Sequence, residues 1–101
     1  HPMSVRAVLV EDEELLREQL DELLGRVWPE LVIAAGVSDG KQALDALERH
    51  RPDVLFLDIE MPGMSGIEVA RRASGRCHVV FVTAYSQYAV AAFDAGAVDY
   101  V

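Results

Sequence analysis

Cysteine is almost absent from this sequence, which holds only Cys77 in 101 residues. A single cysteine excludes an intramolecular disulfide and a cysteine-rich zinc site, and it favours a reducing cytoplasm. No apolar run approaches the roughly 20 residues that a membrane helix needs, so we expect no membrane partner. No signal-like segment opens the chain. His1-Pro2 before Met3 resembles a tag remnant, so we take 3–101 as the domain.

Basic residues are also scarce, since nine Lys and Arg stand against seventeen Asp and Glu, for a net charge of −8. DNA phosphates are bound by clustered Lys and Arg. The only adjacent basic pair here is Arg71-Arg72. Any contact with DNA is therefore expected to come from an output domain that this chain lacks.

Apolar residues, at 51%, are plentiful enough for one hydrophobic core in one domain. Short apolar runs predict strands over 5–10, 31–37, 53–57, 78–82 and 98–101. Amphipathic stretches predict helices over 13–24, from Asp39 to before Pro52, over about 66–73 and over 86–94. Gly25 is interpreted as a helix C-cap, and Asp39 with Gln42 as a capping box. Strands alternating with helices predict an α/β fold, a doubly wound parallel sheet of five strands.

Helical cover for this sheet is incomplete in the predicted arrangement. An open parallel sheet needs helices on both faces, and four helices leave part of one face of five strands bare. We therefore expect the native chain to continue past Val101, with the last helix missing here. A chain that ends at Val101 is expected to be unfolded, molten or self-associated.

Acidic and hydroxyl side chains follow three of the predicted strands. Glu11 and Asp12 follow the first strand, Asp58 the third and Thr83 the fourth. Ligands of open parallel sheets bind at the carboxyl ends of the strands, where these groups should converge. Three carboxylates there would raise one another's pKa and would suit Mg²⁺, which prefers oxygen ligands. The alternatives are a helix N-terminus enriched in acids, which we favour for Glu13 and Glu14, and a turn or capping role for Asp58.

Four segments in order along the chain resemble the response-regulator receiver domain of two-component signalling. They are VEDE at 10–13, PDVLFLDIEMPGMSG at 52–66, VFVTAY at 80–85 and GAVDYV at 96–101. The Thr-Ala-Tyr segment, followed by Tyr88, Ala89 and Phe93, is similar to the LytR/AlgR-type subfamily, whose regulators carry a LytTR DNA-binding domain. The resemblance implies a flavodoxin-like sheet with strand order 2-1-3-4-5.

The resemblance also implies a metal site at the carboxyl end of the sheet. Asp12 matches the carboxylate that binds Mg²⁺ directly, and Asp58 lies beside it. Glu11 occupies the other acidic position and is expected to reach the metal through water. Glu60 matches the residue whose backbone carbonyl completes the site.

A phosphoryl-transfer role follows from the same resemblance. Asp58 matches the phosphoacceptor, and the donor is a phosphohistidine on a sensor histidine kinase. Thr83 matches the hydroxyl that bonds the phosphoryl group, and Tyr100 the aromatic switch residue. The family's Lys after the fifth strand has no counterpart, because the chain ends first and Lys41 lies in the second helix.

Two other functions compete with this signalling domain, which is not expected to be an enzyme. One is a Mg²⁺-dependent phosphohydrolase with Asp58 as nucleophile and Glu60 as acid/base, although the chain is too short for a substrate-capping domain. The other is a receiver-like interaction domain that is never phosphorylated, against which the intact Glu11, Asp12, Asp58 and Thr83 count.

Overall fold

A computed structural model describes residues 4–82 and the backbone of Asp99 and Tyr100. Within them the elements run β1 Arg6–Val10, α1 Glu14–Val27, β2 Val32–Val37, α2 Gly40–His50, β3 Val54–Leu57, α3 Gly66–Ala73, β4 His78–Phe81 and β5 Asp99–Tyr100. All strand pairs are parallel, and their order is β2-β1-β3-β4-β5. This confirms the predicted doubly wound sheet and its strand order. The predicted helix over 86–94 lies outside the described residues.

Successive residues of a strand point to opposite faces of the sheet. In the central strands the residues on both faces are apolar, so the sheet is apolar on both sides. In β1, Val8 and Val10 belong to the larger core cluster, which includes apolar side chains of α2 and α3. Ala7 and Leu9 point the other way, into a smaller cluster with Leu24 of α1. Central strands buried on both sides are typical of parallel sheets, as the sequence predicts.

The face with the smaller cluster is partly open. A groove of about 1030 Å³ runs between α1 and strands β3 and β4, and apolar side chains including Trp28, Phe56 and Val80 line it.

Helix α1 is longer than its apolar pattern predicts. The interpretation of Gly25 as a C-cap is wrong, because the Trp28 N–H still donates to the Leu24 carbonyl at 2.8 Å, beyond Gly25. The apolar face of α1 is only partly buried, because Leu24 is buried whereas Leu16 and Leu23 are 44% and 47% exposed. None of the helices in the described part of the chain is long and apolar enough to cross a bilayer.

Helix α2 begins at the predicted cap. Asp39 Oδ1 accepts a hydrogen bond from the Gln42 backbone N–H at 2.8 Å. The Gln42 side chain turns back, but it accepts from the Ser38 backbone N–H at 3.0 Å rather than from that of Asp39. The helix ends at Arg51, which adopts a left-handed conformation with φ of 46° just before the buried Pro52.

Candidate functional site

Glu11 and Asp58 become neighbours through the register of the central strands. Val10, the last residue of β1, pairs with Leu57, the last residue of β3. The Asp58 N–H continues that ladder by donating to the Val10 carbonyl at 3.0 Å. The residues that follow the two strands therefore emerge side by side at the carboxyl edge of the sheet.

Three carboxylates meet at this edge, as the sequence predicts. One carboxylate oxygen from each of Glu11, Asp12 and Asp58 lies within 4.8 Å of the others. Glu11 and Asp58 are half-buried, and Asp12 is exposed. We call these three residues the acidic cluster.

Two members of the acidic cluster resist ionisation. The pKa of Glu11 is raised to about 7, first by burial, then by hydrogen bonding with Asp12 and by the charges of Asp58 and Asp12. Burial also raises the pKa of Asp58, with the Asp12 charge adding to it. The like-charge repulsion expected from the sequence is present but is the smaller cause, because the strand ends hold both carboxyls partly away from water.

Backbone amides hold the carboxylates in place and partly offset the burial. The Glu13 N–H donates to Glu11 Oε2 at 3.0 Å. Hydrogen bonds from the backbone of Glu60 and Ile59 lower the pKa of Asp58. Such bonds favour the ionised form and orient it.

The acidic cluster suits a hard divalent cation. Its donors are carboxylate oxygens alone, with no nitrogen or sulfur, and this is the donor chemistry that Mg²⁺ prefers. A cation would also relieve the repulsion that raises the pKa of Glu11 and Asp58. Asp12, the exposed member, is the one open to an approaching ion.

Gly66 brings the start of α3 against the end of β3, a role that the sequence analysis did not assign. Its N–H donates to the Ile59 carbonyl at 2.8 Å. A Cβ at this position would lie 2.8 Å from the Ile59 Cα and would also collide with the Asp58 carbonyl oxygen. Only glycine allows this approach, so Gly66 shapes the loop that follows Asp58. The sequence feature that could have indicated this role is the position of Gly66 at the end of a turn-rich loop.

Arg17 is a second residue that the sequence analysis missed. It lies on α1, and its guanidinium donates to the Glu11 backbone carbonyl at 2.7 Å. No local sequence signal reveals this contact, because an arginine in an amphipathic helix is usually exposed.

The remaining predicted site residues are placed only in part. Glu60 is exposed and follows the buried Ile59. Tyr100 lies in β5, where its backbone pairs with Phe81, and its side chain is outside the described residues, as is Thr83. Glu13 is the N-cap of α1 and Glu14 lies in its first turn, as expected for acids at a helix start.

A family model described as the response regulator receiver domain matches residues 7–101. The chain belongs to this family. Three sequence relatives are an uncharacterised response regulatory protein of Vibrio cholerae, the positive alginate biosynthesis regulatory protein of Pseudomonas aeruginosa and the sensory transduction protein LytT of Oceanobacillus iheyensis. Their identities are 54%, 37% and 36%, over 94%, 96% and 98% of this chain. The last two confirm the resemblance to LytR/AlgR-type regulators.

This receiver covers only part of those relatives, namely 38%, 40% and 42% of their lengths. Solved structures agree on the fold. The response regulatory domain of mrkE from Klebsiella pneumoniae matches 96% of this chain and 81% of its own, at a TM-score of 0.87 and 31% identity. The receiver domain of AraT from Geobacillus stearothermophilus matches 98% and 81%, at a TM-score of 0.87 and 32% identity.

Proposed function

We propose that this receiver accepts a phosphoryl group on Asp58 from a phosphohistidine of a sensor histidine kinase, in a reaction that needs Mg²⁺. The observation that carries the proposal is the acidic cluster, in which Asp58 shares the strand edge with Glu11 and Asp12. A phosphoacceptor carboxylate needs a cation beside it, because the incoming group is itself negatively charged. Membership of the receiver family supports the same roles.

The covalent step is carried out by the Asp58 carboxylate. One of its oxygens attacks phosphorus, and the new O–P bond forms as the N–P bond of the phosphohistidine breaks. The electron pair of the broken bond stays on the imidazole nitrogen of the kinase. Backbone hydrogen bonds from Ile59 and Glu60 keep the Asp58 carboxylate oriented for this attack.

The cation is assigned to the carboxylates of Glu11, Asp12 and Asp58, together with the Glu60 backbone carbonyl. Of these groups, Asp12 would hold the cation directly and Glu11 would reach it through water. Mg²⁺ held there supplies positive charge that offsets the negative charge of the transferring phosphoryl group.

The readout of phosphorylation is assigned to Thr83 and Tyr100. The Thr83 hydroxyl would move toward the new phosphoryl oxygens, which frees space for the Tyr100 ring to turn inward. Such a step shifts a two-state surface by differential contacts. In relatives such as the alginate regulator the chain is more than twice as long, which supports an attached output domain, and we propose a LytTR-type domain that controls transcription.

Labelling with acetyl phosphate and Mg²⁺ tests the assignment of Asp58. The protein should gain one phosphoryl group by mass, and Asp58→Asn should gain none while keeping its circular dichroism spectrum. The control Asp21→Asn, at an exposed position on α1, should label like the unsubstituted protein. Stoichiometric labelling of Asp58→Asn would show that another residue is the acceptor. Rapid turnover of added phosphomonoesters would favour the phosphohydrolase instead.

A further inference from the structure

We propose that Arg17 is a positioning residue for the cation site, and that Gly36 on β2 provides the gap through which its side chain reaches the site. The inference rests on the proposed function, because Glu11 and Asp12 are proposed cation ligands. Arg17 is assigned the placement of these two carboxylates, which lie in the β1–α1 turn. That turn is formed by residues 11–13, between the last residue of β1 and the first of α1.

The backbone of Glu11 is held from two sides. Its N–H donates to the Val37 carbonyl of β2 at 3.0 Å. Its carbonyl accepts from the Arg17 guanidinium at 2.7 Å. The carbonyl belongs to the peptide unit that joins Glu11 to Asp12, so its direction sets where both side chains begin.

The turn is also held by the Glu13 N–H, which donates to Glu11 Oε2 at 3.0 Å, but the start of α1 has no side-chain cap. Helix α1 has Glu13 at its N-cap, and the Glu13 side chain makes no capping hydrogen bond. Helices α2 and α3, in contrast, begin with the side-chain caps Asp39 and Ser65. The Arg17 side chain does not cap the helix, but it ties the first turns of α1 back to the end of β1, because it donates to the Glu11 carbonyl.

Gly36 makes room for this contact. A Cβ at Gly36 would lie 3.3 Å from the Arg17 Cδ, slightly closer than an ordinary van der Waals contact, and 3.5 Å from its Nε. Glycine usually weakens a strand, and within one it often marks a close approach of another group. In this receiver the approaching group is the arginine side chain, half-buried between α1 and the edge strand β2.

Arg17 acts through its hydrogen bond rather than through a charge pair. Among residues 4–82, the ion pairs of arginines are made by Arg26, Arg49, Arg71, Arg72 and Arg76, and Arg17 forms none. Groups that orient metal ligands from outside the ligand set typically affect metal affinity about 10- to 100-fold. We therefore expect loss of the guanidinium to weaken cation binding with little effect on the fold.

The test measures Mn²⁺ binding to the metal-free protein from the electron paramagnetic resonance signal of the free ion. Arg17→Met keeps the apolar stem and removes the donors, and it should weaken Mn²⁺ binding about 10-fold. Arg17→Lys keeps one donor within reach of the carbonyl and should restore part of the affinity. Arg26→Met is the matched control, since it makes the same change at an exposed position of the same helix. It should bind Mn²⁺ like the unsubstituted protein.

A second variant tests the gap. Gly36→Ala should also weaken Mn²⁺ binding, because the added methyl displaces the Arg17 stem, while the melting temperature of the metal-free protein stays the same or rises. In an Arg17→Ala background the stem is gone, so Gly36→Ala should have no further effect. Non-additivity of this kind identifies two residues that act through one contact.

The outcomes separate the two proposals. If the unsubstituted protein binds no Mn²⁺, the proposed cation site itself is wrong. If it binds Mn²⁺ and Arg17→Met binds equally well, only the role of Arg17 is overturned. Independent, additive effects of the Arg17 and Gly36 changes would overturn the role of Gly36. If Arg17→Met does not fold, Mn²⁺ binding by Gly36→Ala still tests the contact between Gly36 and Arg17.

Discussion

Glu11 is the residue whose environment differs most from that of an ordinary glutamate in water. Its carboxyl is half-buried at the strand edge, and two other carboxyls lie beside it. Its pKa of about 7 means that, without a cation, a large fraction of this side chain is protonated near neutral pH. Repulsion among the three carboxylates of the acidic cluster destabilises the metal-free protein. A bound cation would relieve this repulsion, so the same contacts favour metal binding.

The stability of the metal-free protein should therefore fall as pH rises through this range. The folded-state pKa of Glu11 is raised from 4.5 to about 7, and that of Asp58 is raised as well. The unfolded chain loses these protons first, so their contribution to stability is complete below about pH 4.5 and is lost as pH rises through about 7. Glu11→Gln cannot ionise and should flatten this decline. Urea unfolding with a chelator, from pH 4.5 to 8, measures the slope.

Glu18→Gln is the control for that experiment, because Glu18 is an exposed residue of α1. It should leave the slope unchanged. Equal slopes for the unsubstituted protein and Glu11→Gln would contradict the environment described for Glu11.

Caps and close approaches decide where the helices sit relative to the sheet. Helix α3 begins at Gly66, against the backbone that follows β3. Helix α2 begins at Asp39, whose carboxylate replaces a missing backbone acceptor for Gln42. The start of α3 lies against the Asp58 backbone, so the stability of that helix end and the geometry of the acidic cluster are linked.

Two glycines in helices should respond oppositely to alanine. Gly66→Ala forces a methyl into backbone atoms of Asp58 and Ile59, and overpacking of this kind should cost about 3 kcal/mol in the free energy of unfolding. At Gly25 nothing lies within 4 Å of an added Cβ, and Gly25→Ala should stabilise α1 by about 0.5–1 kcal/mol. Urea unfolding of both variants checks the pair. A Gly66→Ala protein as stable as the unsubstituted one would refute the close approach.

The N-cap of α2 provides the second prediction at this scale. Asp39→Ala removes the 2.8 Å bond to the Gln42 N–H and should lower the free energy of unfolding by about 1 kcal/mol. Asp45→Ala is the control, since the higher helix propensity of alanine should offset the loss of its exposed ion pair with Arg49 and leave the free energy of unfolding nearly unchanged. Thermal melting of both variants compares the two losses, and equal losses would argue against the cap.

At the scale of the whole molecule, five parallel strands direct their carboxyl ends to one edge. That edge collects the acidic cluster, while β1 and β3 are buried on both faces. The apolar interior makes the position of the strands rigid, and the loops above them carry the chemistry. Such a division is typical of α/β folds.

Mg²⁺ should stabilise this receiver as a whole. A ligand that binds only the folded state raises the melting temperature by mass action, in proportion to the logarithm of its concentration above the dissociation constant. Asp12→Asn should reduce the rise, because the exposed Asp12 carboxylate is the proposed direct ligand. Sodium chloride of equal ionic strength is the control, since a net charge of −8 makes any salt somewhat stabilising. A melting temperature that responds alike to Mg²⁺ and sodium would contradict the cation site.

Most element ends were predictable from the sequence because they depend on local patterns, whereas the order of the strands was implied by the resemblance to the receiver family. The bounds of α3 agree with prediction, and the ends of β1, β2, β3 and β4 lie within one residue of their predicted positions. Residues that follow apolar strands pointed to Glu11, Asp12 and Asp58 for the same reason. The prediction of a C-cap at Gly25 was wrong because a glycine can either end a helix or lie within it. Here the helix continues past Gly25, as the hydrogen bond from the Trp28 N–H to the Leu24 carbonyl shows.

What the sequence by itself determined was the alternation of strands and helices, the acidic residues at the strand ends and, through four motifs, the receiver family. The tertiary structure decided how the site is held together. Arg17 meets Glu11 because α1 packs back against β1, and Gly66 meets Asp58 because α3 begins against the backbone that follows β3. Burial outweighs repulsion in raising the pKa of Glu11 and Asp58, since the depth of a carboxyl is a property of the packed sheet. Local patterns encode which residues reach the edge, whereas contacts between distant elements set their geometry and charge.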